Sequence, residues 1–368
     1  MTTSSPSDER WMRRALEIAN RGRFTTWPNP VVGCVVVSEG KILGEGWHAT
    51  FGEAHAEVNA LNQIGPETDL SSATAYVTLE PCCHTGKTPP CADLLIQRGV
   101  GRVIIATEDP NPKVAGKGVQ RLVSAGIEVC TGCLQAEAQQ LNRKFFHAVT
   151  TSRPWITLKW AQSTDGFIDP EVDASFGRGG HALTGAQAAR HTHGLRSCHD
   201  GIMVGMRTWL VDRPSLTTRH VPGRHPARFI LTSGQTMLPS DAPSVSPSHP
   251  ATLVCPDQHL NSTSMRTWQQ AGYDVIGLKG LSFSKEWWDD FKAQTNVQAC
   301  LVEGGAQVAQ GVLTSEFWDE LHVLTSKLHL NSGLHAPAVP DCEPVSTAHL
   351  GDDLCQVWNN ESPKRSAC

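Results

Sequence analysis

The residues in this chain whose types and spacing best fit a chemical task are His55-Ala56-Glu57, Pro81-Cys82-Cys83-His84 and Pro89-Pro90-Cys91. One histidine and two cysteines give three donors to a tetrahedral zinc ion. Three protein donors leave the fourth position for water, as a catalytic site requires, whereas a structural site closes it with protein. The glutamate two residues after His55 adds a proton carrier. Zinc lowers the pKa of its water toward neutrality, and a nearby carboxylate can take that proton and pass it to a leaving amine. Cys83 and His84 stand as alternatives to Cys82, which the Pro-Cys junction favours. Cys130-Thr131-Gly132-Cys133 has the spacing of a redox or zinc pair, but no second pair accompanies it, and it reads as two core or surface thiols.

A second region with chemical content is Val302-Glu303-Gly304-Gly305, at the end of an apolar strand and before a predicted helix, Ala306 to Leu313. Glycines there let backbone amides approach a phosphate, and a helix N-terminus favours its negative charge. The segment is not the dinucleotide-binding G-x-G-x-x-G pattern.

The elements that must position these residues follow α/β order. Val31 to Val37 and Lys41 to Trp47, joined by Ser38-Glu39-Gly40, predict a hairpin entering a buried sheet. Helices are expected near His55 to Ile64, Cys91 to Arg98 and Val119 to Ala125, with strands at Ala75 to Leu79 and Val103 to Ala106. Asn142 to Pro154 lacks strong periodicity, and a new strand starts at Trp155 to Trp160, so a domain boundary is expected near 150, giving domains 1–150 and 151–368. Beyond it, strands are expected at Gly201 to Val204, Arg228 to Leu231, Leu253 to Cys255 and Ala299 to Val302. Ala186 to Arg196, Ser264 to Ala271 and Lys285 to Ala293 read as helices, Leu238 to Pro250 as a loop, and the end after Asn331 as irregular.

Composition narrows the function. The chain has 368 residues, a net charge of -5, 39% hydrophobic and 18% charged residues, which suits a multi-domain globular protein. Lys plus Arg against Asp plus Glu is 14 to 15 through residue 150 and 17 to 21 after it, so neither part carries the basic excess of a nucleic-acid binder. No apolar run suits a membrane span, and the charges in Met1 to Gly22 break any signal-peptide stretch, so a cytoplasmic location without a membrane partner is expected.

The H-x-E and P-C elements are those of zinc deaminases, in which two residues separate the cysteines; here eight separate Cys82 from Cys91. That enlarged form, with Pro28-Asn29-Pro30-Val31-Val32-Gly33 and Gly46-Trp47-His48, resembles the deaminase half of the bifunctional riboflavin-biosynthesis deaminase/reductase family over about the first 150 residues. Leu158-Lys159-Trp160-Ala161-Gln162-Ser163-Thr164-Asp165-Gly166 and Gly205 to Arg219 resemble its reductase half. The resemblance implies a cytidine-deaminase-like α/β/α domain followed by a dihydrofolate-reductase-like α/β domain. By it, His55, Cys82 and Cys91 hold zinc and Glu57 moves protons, while Asn29, His48, Asp109, Asn111 and Lys113 line the substrate pocket. Ala161, Thr208, Asp212, Ser233, Gly304 and Gly305 face NADPH; Arg196, Leu216, Arg219 and Glu303 hold the substrate and its phosphate. Gly180-His181-Ala182-Leu183-Thr184 stands where the family usually carries Ser-x-Trp-Ile-Thr, without its aromatic contact to the cofactor. The implied activity is hydrolytic deamination of a pyrimidine ribonucleotide, then NADPH-dependent reduction of its ribosyl chain, in a homodimer or homotetramer. The alternative is a deaminase of another pyrimidine or nucleic-acid base whose C-terminal domain has lost reductase activity.

Overall fold

The computed structural model describes residues 5–83, 89–112, 114–170 and 183–360. His84, Lys113 and Gly180 to Ala182 lie outside them. Contacts divide the chain into two units, Met1–Thr150 and Thr151–Cys368.

The first unit runs α1 (Pro6–Ala19), β1 (Gly33–Ser38), β2 (Lys41–Trp47), α2 (Ala56–Leu61), β3 (Thr74–Val77), α3 (Cys91–Gln97), β4 (Arg102–Ile105), α4 (Lys117–Ser124), β5 (Glu128–Thr131), α5 (Gln135–Leu141) and α6 (Arg143–Thr150). Its sheet has the order β2-β1-β3-β4-β5; β1 is antiparallel to both neighbours, and β3, β4 and β5 are parallel. Side chains alternate across the sheet. Cys34, Val36, Ala75, Val77, Val103 and Ile105 face Ala60 and Leu61 of α2, Leu95 of α3 and Leu122 of α4. Val35, Val37, Tyr76, Ile104 and Cys130 face Met12, Ala15 and Ile18 of α1 and Ala138 of α5. The result is three layers with helices on both faces.

Three helices here were not expected from sequence. The Ser-rich start hides a capping box, in which Ser5 and Asp8 bond reciprocally and Pro6 takes the first helical position. The stretch near 142–150 is also helical: α6 has 8 residues, about two turns, too few for a helical repeat to stand out in the sequence, and none of its side chains is fully buried.

The second unit runs β6 (Trp155–Gln162), β7 (Phe167–Pro170), α7 (Ala186–Ser197), β8 (Gly201–Gly205), α8 (Met206–Val211), β9 (Ala227–Leu231), β10 (Ala251–Pro256), α9 (Thr263–Gln270), β11 (Asp274–Leu278), α10 (Lys285–Thr295), β12 (Ala299–Val302), α11 (Ala306–Ser315), β13 (Glu320–Thr325), β14 (Gly333–His335), β15 (Ser346–Leu350) and β16 (Asp353–Asn359). One sheet has the order β11-β10-β9-β8-β12-β6-β13-β16-β15, parallel from β11 to β13 and antiparallel through β16 and β15; β7 and β14 pair separately. Apolar clusters lie on both faces of the large sheet: Ile156, Leu158 and Cys300 join the tryptophans and Phe291 of α10, while Ile202, Ile230 and Leu253 pack with Trp268 of α9. The end after Asn331 is not irregular but supplies β14, β15 and β16. All five residues of β15 are at least partly exposed, so this strand has no buried face for a sequence pattern to reveal.

Candidate active sites

The first site is assembled at the start of α2. Gly46 lets that helix lie directly on β2, since a Cβ there would collide with the Ala56 carbonyl oxygen and the Ala60 nitrogen. His55 is the helix N-cap, so His-x-Glu places the imidazole and the Glu57 carboxyl at one helix end. Cys91 opens α3, and its backbone N–H donates to Cys82 Sγ at 3.3 Å. His55 Nδ1 stands 3.3 Å from Cys91 Sγ and 3.7 Å from Cys82 Sγ, and the three donor atoms lie within 4.8 Å of one another. This donor set fits a tetrahedral zinc ion. Cys83 is not among these atoms. A hydrogen bond between the two thiols, opposed by burial and aided by His55, lowers the Cys82 pKa, and the same contact with burial raises that of Cys91; both would ligate zinc as thiolates. Glu57 is 3% exposed, and burial, with the neighbouring Cys82 sulfur, pushes its carboxyl up to about 7.

His55, Glu57 and Cys82 line a cavity of about 440 Å³ with Asn29, His48, Asp109 and Asn111, the residues that the family resemblance names for a pocket. His48 lies edge-on to the His55 ring. Its Nδ1 donates to the Ala54 carbonyl at 3.1 Å, which leaves Nε2 to accept from the Asn29 amide at 3.2 Å. The Asn29 carbonyl oxygen is then set to accept from an amino group. Burial lowers the His48 pKa, consistent with this neutral tautomer.

Sequence reasoning missed several residues of this cavity. Phe145 reaches it from α6 and left no signal, because that helix was not read. Asn142 accepts from Val31 N and donates to Val31 O, both at 2.9 Å, and so pins the chain that carries Asn29. Glu80, immediately before the Pro-Cys junction, accepts from the backbone N–H groups of Asp109, Gly116, Gly118 and Val119 at 2.8 to 3.2 Å. One carboxylate thereby holds the loop carrying Asp109 and Asn111. Glu80→Ala is expected to lower the unfolding free energy of the first unit by about 2 to 4 kcal/mol, read by denaturant unfolding. KM for the cavity's substrate should rise more than kcat falls. An unchanged unfolding midpoint would mean the loop keeps its form without Glu80.

The second site lies at the carboxyl ends of parallel strands, where α/β sheets bind ligands. β12 ends in Glu303-Gly304-Gly305, and Gly305, at φ +77, caps α11 in a conformation that favours glycine. A Cβ on Gly304 would stand 3.1 Å from Thr208 Cγ2, so Thr208 of α8 faces this turn. Asp212 caps the far end of α8, Ser233 is exposed just beyond β9, and Ala161 is on β6 near its end.

Arg196 of α7 and Glu303 form a bidentate pair, Nε to Oε1 at 2.7 Å and Nη2 to Oε2 at 2.6 Å, with Nη1 on the Thr217 carbonyl at 3.1 Å. Burial opposes the charge on Glu303, and Arg196 more than reverses this, holding the carboxyl below its usual value. Lys159, which sequence reasoning left without a role, completes the cluster; burial lowers its pKa, with Glu303 opposing and Arg196 assisting. It was legible only as part of the Leu158-Lys159-Trp160 segment. Arg219 is exposed, its guanidinium reaches Ser215 and Thr217, and its backbone N–H donates to His193 Nδ1 at 2.8 Å. The Leu216 side chain is buried in the apolar core, which leaves its main chain for any ligand.

Among the described residues, no helix is long and apolar enough to cross a membrane. Residues 5–107 match the cytidine and deoxycytidylate deaminase zinc-binding region, and residues 154–331 the RibD C-terminal domain. The riboflavin biosynthesis protein RibD of Escherichia coli strain K12 is 49% identical over 378 residues, covering 95% of this chain and 98% of that protein. RibD of Aquifex aeolicus is 38% identical over 328 residues, 89% of each chain. Two solved structures superpose with a TM-score of 0.81. Form 1 of Acinetobacter baumannii RibD is 32% identical and covers 97% of this chain and 99% of that one. The Thermotoga maritima diaminohydroxyphosphoribosylaminopyrimidine deaminase/5-amino-6-(5-phosphoribosylamino)uracil reductase is 30% identical and covers 96% and 99%. The first unit is thus a zinc-binding deaminase, and a reductase of this kind takes a nicotinamide cofactor. The chain belongs to the RibD family, whose members are bifunctional deaminases and reductases of riboflavin biosynthesis.

Proposed function

We propose that the first unit deaminates a diaminohydroxyphosphoribosylaminopyrimidine and that the second reduces the resulting 5-amino-6-(5-phosphoribosylamino)uracil with NADPH, the two activities named for the Thermotoga maritima protein. The observation that carries this reading is the buried Glu57 beside His55, Cys82 and Cys91 in a cavity that also presents Asn29, His48, Asp109 and Asn111. Zinc held by the three donors supplies a water that ionises near neutral pH. Glu57 moves both protons of the attacking water, the first to the ring nitrogen and the second from the new hydroxyl to the departing amine, so that ammonia leaves and a carbonyl replaces it on the ring. Asn29, oriented by His48, accepts from a ring amino group, and the Asp109 loop completes the grip on the nucleotide. In the second unit the cofactor supplies the hydride. Ala161, Thr208, Asp212, Ser233 and the Gly304-Gly305 turn hold it. Glu303, held by Arg196, positions the ribosyl chain, Lys159 carries a proton beside it, and Arg219 with the Leu216 main chain binds the phosphate. We expect the enzyme to act in the cytoplasm as a homodimer or homotetramer.

The test is a coupled assay with the phosphorylated diaminopyrimidine, scoring ammonia and NADPH separately. Ammonia should appear without NADPH, and NADPH should be consumed only after deamination; no ammonia, or no NADPH loss on the deaminated compound, overturns the assignment. Arg219→Ala should leave ammonia release near wild type. A charge-assisted phosphate contact is worth about 1.5 to 3 kcal/mol, so reductase kcat/KM should fall roughly ten- to more than hundredfold, mostly through KM. With a dephosphorylated substrate the variant and wild type should converge. Equal losses on both substrates would remove Arg219 from the phosphate site.

A further inference from the structure

Alternation along β13 puts Glu320, His322 and Leu324 on one face of the second sheet. In the antiparallel partner β16, Cys355 lies opposite Leu324 and Val357 opposite His322. Helix α7 crosses this face: Ala188 packs with Leu324 and Cys355, and His191, three residues along the helix, meets the strands. His191 Nε2 is 3.1 Å from His322 Nδ1 and 3.8 Å from Cys355 Sγ, and all three donor atoms lie within 4.8 Å of one another. The deaminase triad of the same molecule has its imidazole-to-sulfur distances at 3.3 and 3.7 Å. Donors around a tetrahedral zinc, at bond lengths near 2.0 to 2.3 Å, stand about 3.3 to 3.8 Å apart.

A second observation points to a ligand. His322 is 6% exposed, and its Nε2 is buried without a hydrogen bond, yet Glu320 Oε2 stands 3.4 Å from it. A metal on Nδ1 fixes the proton on Nε2, where a small turn of the ring donates it to that carboxylate. Ligating histidines are commonly oriented in this way. Two imidazoles and a thiolate form a borderline-soft set that suits zinc better than magnesium or calcium.

We propose that His191, His322 and Cys355 form a second metal site, for a zinc-class divalent ion, with Glu320 orienting His322. The ion ties α7 to β13 and β16, and α7 is also the helix that carries Arg196 to Glu303. The site is therefore a positioning device for the reductase unit, separate from the deaminase zinc.

Full-length protein stripped by chelation and reconstituted with zinc should bind two equivalents per chain. Cys355→Ser should bind one and keep wild-type ammonia release, which shows that the deaminase zinc is the one retained. Cobalt substitution gives an independent reading, because the thiolate-to-cobalt absorption of the second equivalent should vanish in the same variant. His191→Gln, at a less buried position, should also reduce the count to one, and covers the case in which Cys355→Ser fails to fold. Glu320→Gln should keep two equivalents but weaken the second about ten- to hundredfold; unchanged affinity there removes Glu320 from the site. Wild-type saturation at one equivalent, or a second equivalent unaffected by both Cys355→Ser and His191→Gln, overturns the proposal and leaves a hydrogen-bonded histidine pair.

Discussion

Glu57→Gln should keep its zinc and lose ammonia release by about two to four orders of magnitude, the range that a positioned proton carrier contributes. Glutamine has the shape of the glutamate but cannot accept the proton of an attacking water. The position makes that chemistry matter: the carboxyl is buried at the first turn of α2, and burial with the Cys82 sulfur beside it raises its pKa to about 7, where it can both take and release a proton near neutral pH. Glu57 is outside the three-atom donor cluster, so its amide should not cost the metal. Zinc content and ammonia release measured on one preparation decide the matter. Loss of metal would make Glu57 structural, and near-normal turnover would take it out of proton transfer.

The other large effect is expected at Glu303. Its side chain is 6% exposed and that of Arg196 11%, and the pair is bidentate. Glu303→Ala leaves the guanidinium facing Lys159 with no counter-charge, and breaking a buried pair from one side costs about 3 to 5 kcal/mol. Denaturant unfolding of the second unit should show that loss. The Arg196→Ala/Glu303→Ala double variant should lose less than the sum of the two single variants, because the stranded charge is gone. Reductase activity should fall in all three while ammonia release persists, since the deaminase groups all belong to the first unit. Additive stability losses would mean that the two side chains do not act as a pair.

Local pattern determined much of this protein. The apolar runs at Val31 to Val37 and Val103 to Ala106 mark buried strands because a strand covered on both faces needs apolar residues at every position. His55-x-Glu57 could be read as a unit because both residues sit on one helical turn, where spacing in sequence is spacing in space. Where an element has no buried face, as in β15, or spans only about two helical turns, as in α6, no repeat stands out in the sequence.

Tertiary structure alone decided the partnerships across the chain. Cys82 and Cys83 are adjacent in sequence, and only the seating of α3 against the Pro-Cys turn brings the Cys82 sulfur to Cys91 and His55. Arg153 and Arg196 both find buried carboxylates, Asp319 and Glu303, 166 and 107 residues away, yet the first pair clamps the start of β6 while the second faces the end of β12. His191, His322 and Cys355 meet because sheet register sets two of them on one face as diagonal neighbours and the docking of α7 adds the third. Register and docking depend on packing summed over whole faces of a sheet, and no window of neighbouring residues contains that sum.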